Sequence, residues 1–169
     1  ELHPDYHQAI QSSDDWLEQI EEVINASGDL VFTTAIKQGL SLTKSQVGYV
    51  HIYSEKSNQI VKTAWNEDVG DYFSIPKQQT YKADSGLWAE TIKTRKPVIH
   101  NDLTEIIAGK SQKDGFFAFK NHLCIPIHYR KKLVGIIGVG NRDNPYTQVD
   151  AKSLTIFATI LWHSVELPR

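Results

Sequence analysis

The sequence predicts an α+β fold in which an antiparallel sheet has helices on both faces. Two observations lead to this prediction. Apolar residues recur every three or four positions near both ends of the chain, as in helices, whereas several central segments alternate with a period of two. The alternating segments also lack a clean polar side, as expected of strands that are covered on both faces.

Length and composition limit the class of protein. The 169 residues fit one domain, 1–169, because no linker rich in Gly, Ser, Pro or charge divides them. The longest apolar runs are too short to span a bilayer. The 18 basic and 20 acidic residues are spread out without a basic stripe, which argues against a nucleic-acid partner. The single cysteine, Cys124, excludes internal disulfides and suits a reducing compartment such as the cytoplasm.

Two helices are predicted after a polar lead-in, 1–12. The first follows hydroxyl and carboxylate caps at 12–15 and has an apolar stripe over 16–24. The second covers about 29–42 and has apolar side chains at a spacing of four, namely Phe32, Ile36 and Leu40.

A hairpin follows these helices. Residues 47–53 and 60–65 alternate with a period of two, and a turn is expected at 57–58. Residues 66–82 lose this periodicity, and we interpret them as an irregular crossing segment. Asp84 or Ser85 is then expected to cap a helix.

Pro97 should end that helix, and a very short strand should follow, with Ile99 as its last apolar residue. The strand places three polar side chains together at its end: His100, Asn101 and Asp102. Residues 103–119 combine a short apolar helix with a polar loop. We expect this segment to move.

A second hairpin and a long helix complete the chain. Strands are predicted over 121–129 and 133–141, joined by a basic turn at 130–132, and Thr147 should cap a helix over 148–166. That helix has apolar residues at alternating spacings of three and four, which suits either a partner helix or one wide face on the sheet. Both interpretations stay open for it.

Three catalytic or cofactor interpretations are weak. The glycines at 135, 138 and 140 lie inside a strand pattern without a following helix, so they more simply allow packing under a bulky neighbour such as Trp65 or Trp88. Cys124 with His100 and Asp102 has the residue types of a thiol nucleophile system, but a lone mid-strand thiol is more often inert. The histidines also lack the spacing of a metal motif, so no metal is predicted.

A small-molecule pocket fits the residues better. Aromatic walls with a few convergent polar groups are the usual composition of such a pocket. The candidate ligand-binding residues are Tyr49, His51, Trp65, Trp88, His100, Asn101, Asp102 and His122. The alternative is that these aromatic side chains simply fill the core, with their polar atoms hydrogen-bonded.

Several sequence blocks together resemble the GAF domain family. They lie in the family's order between about 30 and 163: Val-Gly-Tyr-Val-His-Ile-Tyr, Ala-Trp-Asn, Ser-Gly-Leu-Trp-Ala-Glu, Lys-Pro-Val-Ile-His-Asn-Asp, His-Leu-Cys-Ile-Pro-Ile and Gly-Val-Gly-Asn-Arg. The resemblance implies a six-stranded antiparallel sheet with the N- and C-terminal helices on one face. On the other face it implies a ligand pocket roofed by short helices and loops.

The resemblance also implies a function. It suggests a non-catalytic sensor domain of a larger cytoplasmic signalling protein, such as a histidine kinase, a cyclic-di-nucleotide synthase or hydrolase, or a transcriptional regulator. Residues 141–150 resemble the Asn-Lys-Phe-Asp-Glu constellation of cyclic-nucleotide-binding members only loosely, but Asn141 joins the candidate ligand-binding residues. The branch that reduces free methionine sulfoxide relies on several cysteines, whereas this chain has one.

Our hypothesis is therefore an unidentified ligand between the sheet and a roof over 100–119, with closure relayed to the terminal helices of a homodimer. The ligand, any cofactor and the output domain are unknown. Two alternatives stay open: a structural dimerisation module whose own side chains fill the pocket position, and a thiol enzyme, which would need Cys124 exposed near His100.

Overall fold

The computed structural model describes residues 30–73 and 80–166. The first predicted helix, over 16–24, and part of the crossing segment lie outside these residues. No helix within the described ranges is long and apolar enough to cross a membrane.

The first described helix and hairpin agree with the prediction. Helix α1 covers Leu30–Thr43, strand β1 Val47–Ser54 and strand β2 Gln59–Trp65. The helix stops where Lys44 adopts a left-handed backbone, with φ of 56°. Asn58 in the β1–β2 turn does the same, with φ of 52°, as asparagine tolerates well.

The middle helix is shorter than predicted. Helix α2 covers Ala89–Thr94, and the backbone position before it is occupied by Trp88 without any side-chain cap. The predicted cap at Asp84 or Ser85 is wrong, because the Ser85 hydroxyl instead donates to the carbonyl of Asp114 at 2.8 Å. Ser85 thus holds the loop that contains Asp114 and does not cap α2.

The predicted stop at Pro97 comes slightly late. Thr94 is the last residue of helix α2. Arg95 follows it with a left-handed backbone, φ of 60°, and ends the helix before Pro97. Strand β3 then covers Val98–His100, and helix α3 covers Thr104–Ile107.

The second hairpin and the last helix follow closely. Strand β4 covers His122–Tyr129, strand β5 Lys132–Gly140 and helix α4 Gln148–Glu166. Thr147 precedes α4 as predicted. Its backbone N–H and its hydroxyl both donate to the carboxylate of Asp150, at 2.7 and 3.1 Å.

The strands form one antiparallel sheet in the order β2-β1-β5-β4-β3. The described residues supply five strands, whereas six were expected. Within the predicted irregular crossing segment, Val69–Asp71 forms a short 3₁₀ turn.

Alternate residues of the sheet belong to two separate cores. On one face α1 and α4 cover side chains such as Val50, Leu123 and Ile137. On the other face, β1 presents Tyr49 and His51 to two segments, 80–97 and 101–119. We call these two segments together the roof, which is wider than the roof predicted over 100–119. The predicted alternation over 47–53 and 121–129 is confirmed.

Two glycines of β5 make this second core possible. A methyl group at Gly138 would collide with the ring of Tyr49, and one at Gly140 would collide with the ring of Phe119. The prediction that these glycines lie under bulky neighbours is confirmed, although the neighbours are not the expected tryptophans.

Candidate functional site: an aromatic cluster under the roof

The roof-side face of the sheet carries a dense group of ring side chains and one thiol, which we call the aromatic–histidine cluster. Strands β1, β2 and β4 supply its floor, and the roof supplies the remainder. Its members are Tyr49, His51, Trp65, Tyr81, Trp88, Phe117, His122 and Cys124.

The cluster fills the position where a ligand was expected. Trp88 lies at its centre, with ring centroids 4.4 Å from His51, 5.6 Å from Tyr49 and 5.1 Å from Tyr81. These four side chains are buried. Four cavities in the described part of the chain have other linings, and among the members of the cluster only Tyr81 lines one of these four.

A chain of hydrogen bonds leads from the buried floor towards the surface. The hydroxyl of Tyr49 lies 2.8 Å from Nε2 of His122, whose Nδ1 is 3.4 Å from Nδ1 of His100. The other ring nitrogen of His100 lies 4.0 Å from the exposed carboxylate of Glu90. The two histidines and Tyr49 therefore form one connected polar path.

Other polar atoms of the cluster have no partner. His51 uses Nδ1 to bond the Thr63 hydroxyl at 2.8 Å, but its Nε2 is buried without a hydrogen bond. The indole N–H of Trp65 and the hydroxyl of Tyr81 are buried without a hydrogen bond of ordinary geometry, although an interaction with Trp65 slightly opposes the rise in the pKa of Tyr81. Such atoms are uncommon in native proteins, since each costs about 1–3 kcal/mol.

Burial keeps the cluster uncharged. Desolvation lowers the pKa of His51 to about 3 and raises the pKa of Tyr81 to about 12. The pKa of His122 lies well below its ordinary value, chiefly through desolvation and then through His100 and His51. The pKa of His100 is also lowered by desolvation, although Glu90 opposes this. The histidines are therefore neutral near pH 7.

Cys124 lacks the features of a nucleophile. It is fully buried on β4, accepts a weak hydrogen bond from the Tyr49 hydroxyl at 3.7 Å, and burial raises its pKa to about 12. A nucleophilic cysteine needs an accessible thiolate. The thiol-enzyme alternative also required exposure, which the structure does not show. Among the described residues no group of three metal-ligating side chains is assembled.

Three of the predicted ligand-binding residues contact the backbone instead. Asn101 bonds Tyr146 twice, accepting from its N–H at 2.8 Å and donating to its carbonyl at 3.0 Å. Asp102 accepts from the N–H of Thr104 at 3.0 Å, and Asn141 accepts from the N–H of Lys120 at 2.7 Å. Ligand binding by these three side chains stays a prediction that none of their contacts supports.

Asn101 belongs to a second polar group, at the start of α4, which we call the α4 junction. It comprises Ser45, Asn101, Arg142, Tyr146 and Asp150. Arg142 forms an ion pair with Asp150 at 2.6 Å, and the hydroxyl of Tyr146 lies 2.5 Å from that of Ser45. Arg142 also donates to the carbonyl of Thr43 at 3.3 Å. The junction thus joins the end of β3, the end of α1 and the start of α4.

A sequence profile described as GAF domain matches residues 27–166. The chain belongs to the GAF domain family. The methyl sulfide methyltransferase-associated sensor of Methanosarcina acetivorans is 29% identical over 156 residues, which are 89% of this chain. This GAF domain spans only 15% of that relative's length.

Solved structures agree on the fold. Free methionine-R-sulfoxide reductase from Neisseria meningitidis, in complex with its substrate, matches with a TM-score of 0.68 at 11% identity, over 94% of this chain and 90% of that one. The GAF domain of an Acinetobacter phosphoenolpyruvate-protein phosphotransferase gives a TM-score of 0.64 at 12% identity, over 94% and 97%. At these identities the similarity concerns the fold alone.

The structure brings together five of the nine predicted site residues in the cluster, Tyr49, His51, Trp65, Trp88 and His122, with His100 bonded to its edge. It also adds Tyr81 and Phe117, which the sequence did not single out. Both come from segments without periodicity. The only signal for Tyr81 was an aromatic residue in an otherwise polar segment, whereas Phe117 belongs to the apolar run 116–119.

Proposed function

We propose that this GAF domain is the non-catalytic sensory input of a larger signalling protein, and that its small-molecule ligand binds within the aromatic–histidine cluster. One observation carries the proposal. Nε2 of His51 is buried without a partner, and the Trp65 N–H and the Tyr81 hydroxyl lack a well-formed hydrogen bond. A ligand that supplied these hydrogen bonds would remove their cost.

The cluster's chemistry selects an uncharged ligand. None of its members carries a charge near pH 7, and desolvation opposes the charged forms of His51 and Tyr81. An ion placed there would lose its hydration without gaining an opposite charge. Ring faces on several sides favour a flat molecule, and the Trp65 N–H requires a hydrogen-bond acceptor on it.

Binding must displace side chains, because the cluster is packed. Tyr81 belongs to the roof, at the edge of a cavity of about 390 Å³ that also contains Asn58 and Asp84. We propose that the ligand enters beside Tyr81 and moves the roof away from β1. A ligand can shift the domain only if it binds the two arrangements unequally, which its hydrogen bonds to the unsatisfied atoms provide.

The α4 junction is suited to carry this change onwards. His100 contacts the cluster through His122, and the next residue, Asn101, holds the backbone of Tyr146 immediately before α4. A shift at the end of β3 would therefore reach α4 and, through Ser45, the end of α1. We propose that these helices pass the signal to the output domain within a homodimer.

The Methanosarcina acetivorans relative is named as a sensor and is much longer than this chain, and both facts support this role. A histidine kinase, a cyclic-di-nucleotide synthase or hydrolase, or a transcriptional regulator would be a suitable output, and a cytoplasmic location suits the reduced Cys124. Free methionine sulfoxide reduction is the enzymatic rival, but the buried thiol does not favour it.

Native mass spectrometry of the chain purified from cells tests the proposal. We expect a retained uncharged molecule, and we expect His51→Leu to abolish its retention while His128→Leu, outside the cluster, keeps it. Equal retention by both variants would contradict the proposed position.

A structural dimerisation module is the second candidate, because the cluster is filled by the chain's own side chains. This candidate predicts a dimer mass without any adduct. It also predicts no change in the tryptophan emission of Trp65 and Trp88 when uncharged aromatic compounds are added, whereas ligand binding in the cluster would alter that emission.

A further inference from the structure

The fold collects basic residues that are dispersed in the sequence. They come from the β1–β2 turn, the end of α2 and the β4–β5 turn, and all are exposed. We call this group the basic tip, and it consists of Lys56, Lys93, Arg95, Lys96, Arg130, Lys131 and Lys132.

Contacts show that the three segments adjoin. One carboxylate oxygen of Glu55 lies 3.5 Å from the guanidinium of Arg95 and accepts from the backbone N–H of Leu133 at 2.9 Å. Lys93 and Arg95 line one cavity with Asn58 of the β1–β2 turn. Leu133 directly follows the β4–β5 turn, across which Tyr129 pairs with Lys132, so its bond to Glu55 places this turn beside the other two segments.

The positive charge of the tip is poorly compensated. Among the described residues, the carboxylates close to the tip are Glu55, Asp84 and Glu90, against seven cations. At the opposite end of the sheet, two cations each have a carboxylate partner: Lys120 lies 3.8 Å from Asp143, and Arg142 lies 2.6 Å from Asp150. The excess charge is therefore local to one end of a domain whose net charge is -2.

The tip keeps cations where the backbone favours other residues. Arg95, Arg130 and Lys131 have φ of 60°, 51° and 67°, a region in which glycine or asparagine costs less. Arg95 and Arg130 also lie over the rings of Tyr53 and Tyr129, at 5.6 and 5.2 Å. Stacking restrains both guanidinium groups, and Arg95 also donates to the carbonyl of Ile92 and to Glu55. The planar fork of a guanidinium suits paired hydrogen bonds to carboxylates.

We infer that the basic tip docks an acidic polypeptide segment. The described residues show no large exposed apolar side chain within the tip, since those present are Val61, Tyr72 and Ile160, so a membrane-inserting wedge is lacking. Alternate carboxylates of an extended segment lie about 7 Å apart, which suits cations on neighbouring turns.

Fluorescence anisotropy with a labelled twelve-residue peptide of alternating Glu and Ser tests this inference on the whole chain. The test variant is Arg130→Asn with Lys131→Gly, which removes two charges and also suits the left-handed backbone, so the fold is retained. The control, Lys44→Gly with Lys120→Asn, removes two charges at the opposite end, and Lys44 likewise has a positive φ of 56°.

We expect the tip variant to bind the peptide about tenfold more weakly in low salt and the control to change by less than about twofold. Equal losses in both variants would overturn the inference, because binding would then follow net charge alone. Tighter binding of a 20-base-pair DNA duplex or of phosphatidylserine vesicles than of the peptide would also overturn it.

Discussion

The aromatic–histidine cluster and the α4 junction lie at opposite extremes of polar satisfaction. The cluster packs rings closely but leaves Nε2 of His51 without a partner, and Trp65 and Tyr81 without a well-formed hydrogen bond. In the junction Asn101, Arg142 and Tyr146 each make at least two polar contacts. A ligand gains binding free energy by completing missing hydrogen bonds, whereas a fully bonded polar group holds two segments at a fixed position. The first region is suited to detect and the second to transmit.

The largest expected effect tests the packing of the cluster. Gly138→Ala should lower the free energy of unfolding by about 3 kcal/mol, because the added methyl group collides with the buried ring of Tyr49. Chemical denaturation measures this. The matched change Gly70→Ala has nothing within 4 Å and should cost less than about 1 kcal/mol. Similar costs for the two variants would mean that the cluster is loosely packed.

The junction should be the next most sensitive region. Asn101→Ala removes both bonds to the Tyr146 backbone and should lower the free energy of unfolding by about 2 kcal/mol. Amide hydrogen exchange at Tyr146 should become faster. Asn144→Ala, an exposed neighbour, should change neither quantity. Unaltered exchange at Tyr146 would show that Asn101 does not hold the start of α4.

The buried histidines should make stability depend on pH. A histidine whose folded pKa lies below its unfolded value of 6.5 contributes stability that is lost as pH falls, because only the unfolded chain then takes up the proton. Below pH 6.5 and down to about 3, His51 should contribute a slope of up to about 1.4 kcal/mol per pH unit.

Since the pKa values of His122 and His100 are also lowered, the total slope between pH 6.5 and 5 should fall by about a third to a half in a His51→Gln variant. Urea denaturation across this range measures it, and the variant should not alter the slope above pH 7. An unchanged slope below pH 6.5 would mean that His51 is protonated in the folded domain.

The smallest expected effect isolates one hydrogen bond. Trp88 donates to the carbonyl of Lys82 at 2.8 Å, whereas the equivalent N–H of Trp65 has no well-formed hydrogen bond. Trp88→Phe should therefore cost about 1 kcal/mol more than Trp65→Phe in thermal or chemical unfolding. The reverse order would show that a ligand or solvent already satisfies Trp65.

Much of the fold could be predicted from periodicity. The alternation over 47–53 and 121–129 correctly assigned residues to the two faces, because a strand's period is fixed by its backbone. Helix α2 was misplaced at its start because Ser85, a good cap by type, bonds Asp114, which is distant in sequence. Caps depend on local backbone, but their side chains accept or donate wherever the fold brings a partner.

The candidate site was harder to predict. Residue types correctly indicated that Tyr49, His51, Trp65, Trp88 and His122 come together, but not that they fill their own space. Asn101 and Asn141 are polar residues at strand ends, which suits ligand binding and backbone bonding equally well. Only the distance to Tyr146 and Lys120 identified their present partners.

By itself the sequence determined the α+β class, the two faces of the sheet, the family resemblance and the inert environment of a lone mid-strand cysteine. These properties follow from local spacing and residue type. Tertiary structure decided which polar atoms are satisfied, how Gly138 admits Tyr49, and that three turns place seven cations at one end. Those properties depend on contacts between distant segments, which chain order does not specify.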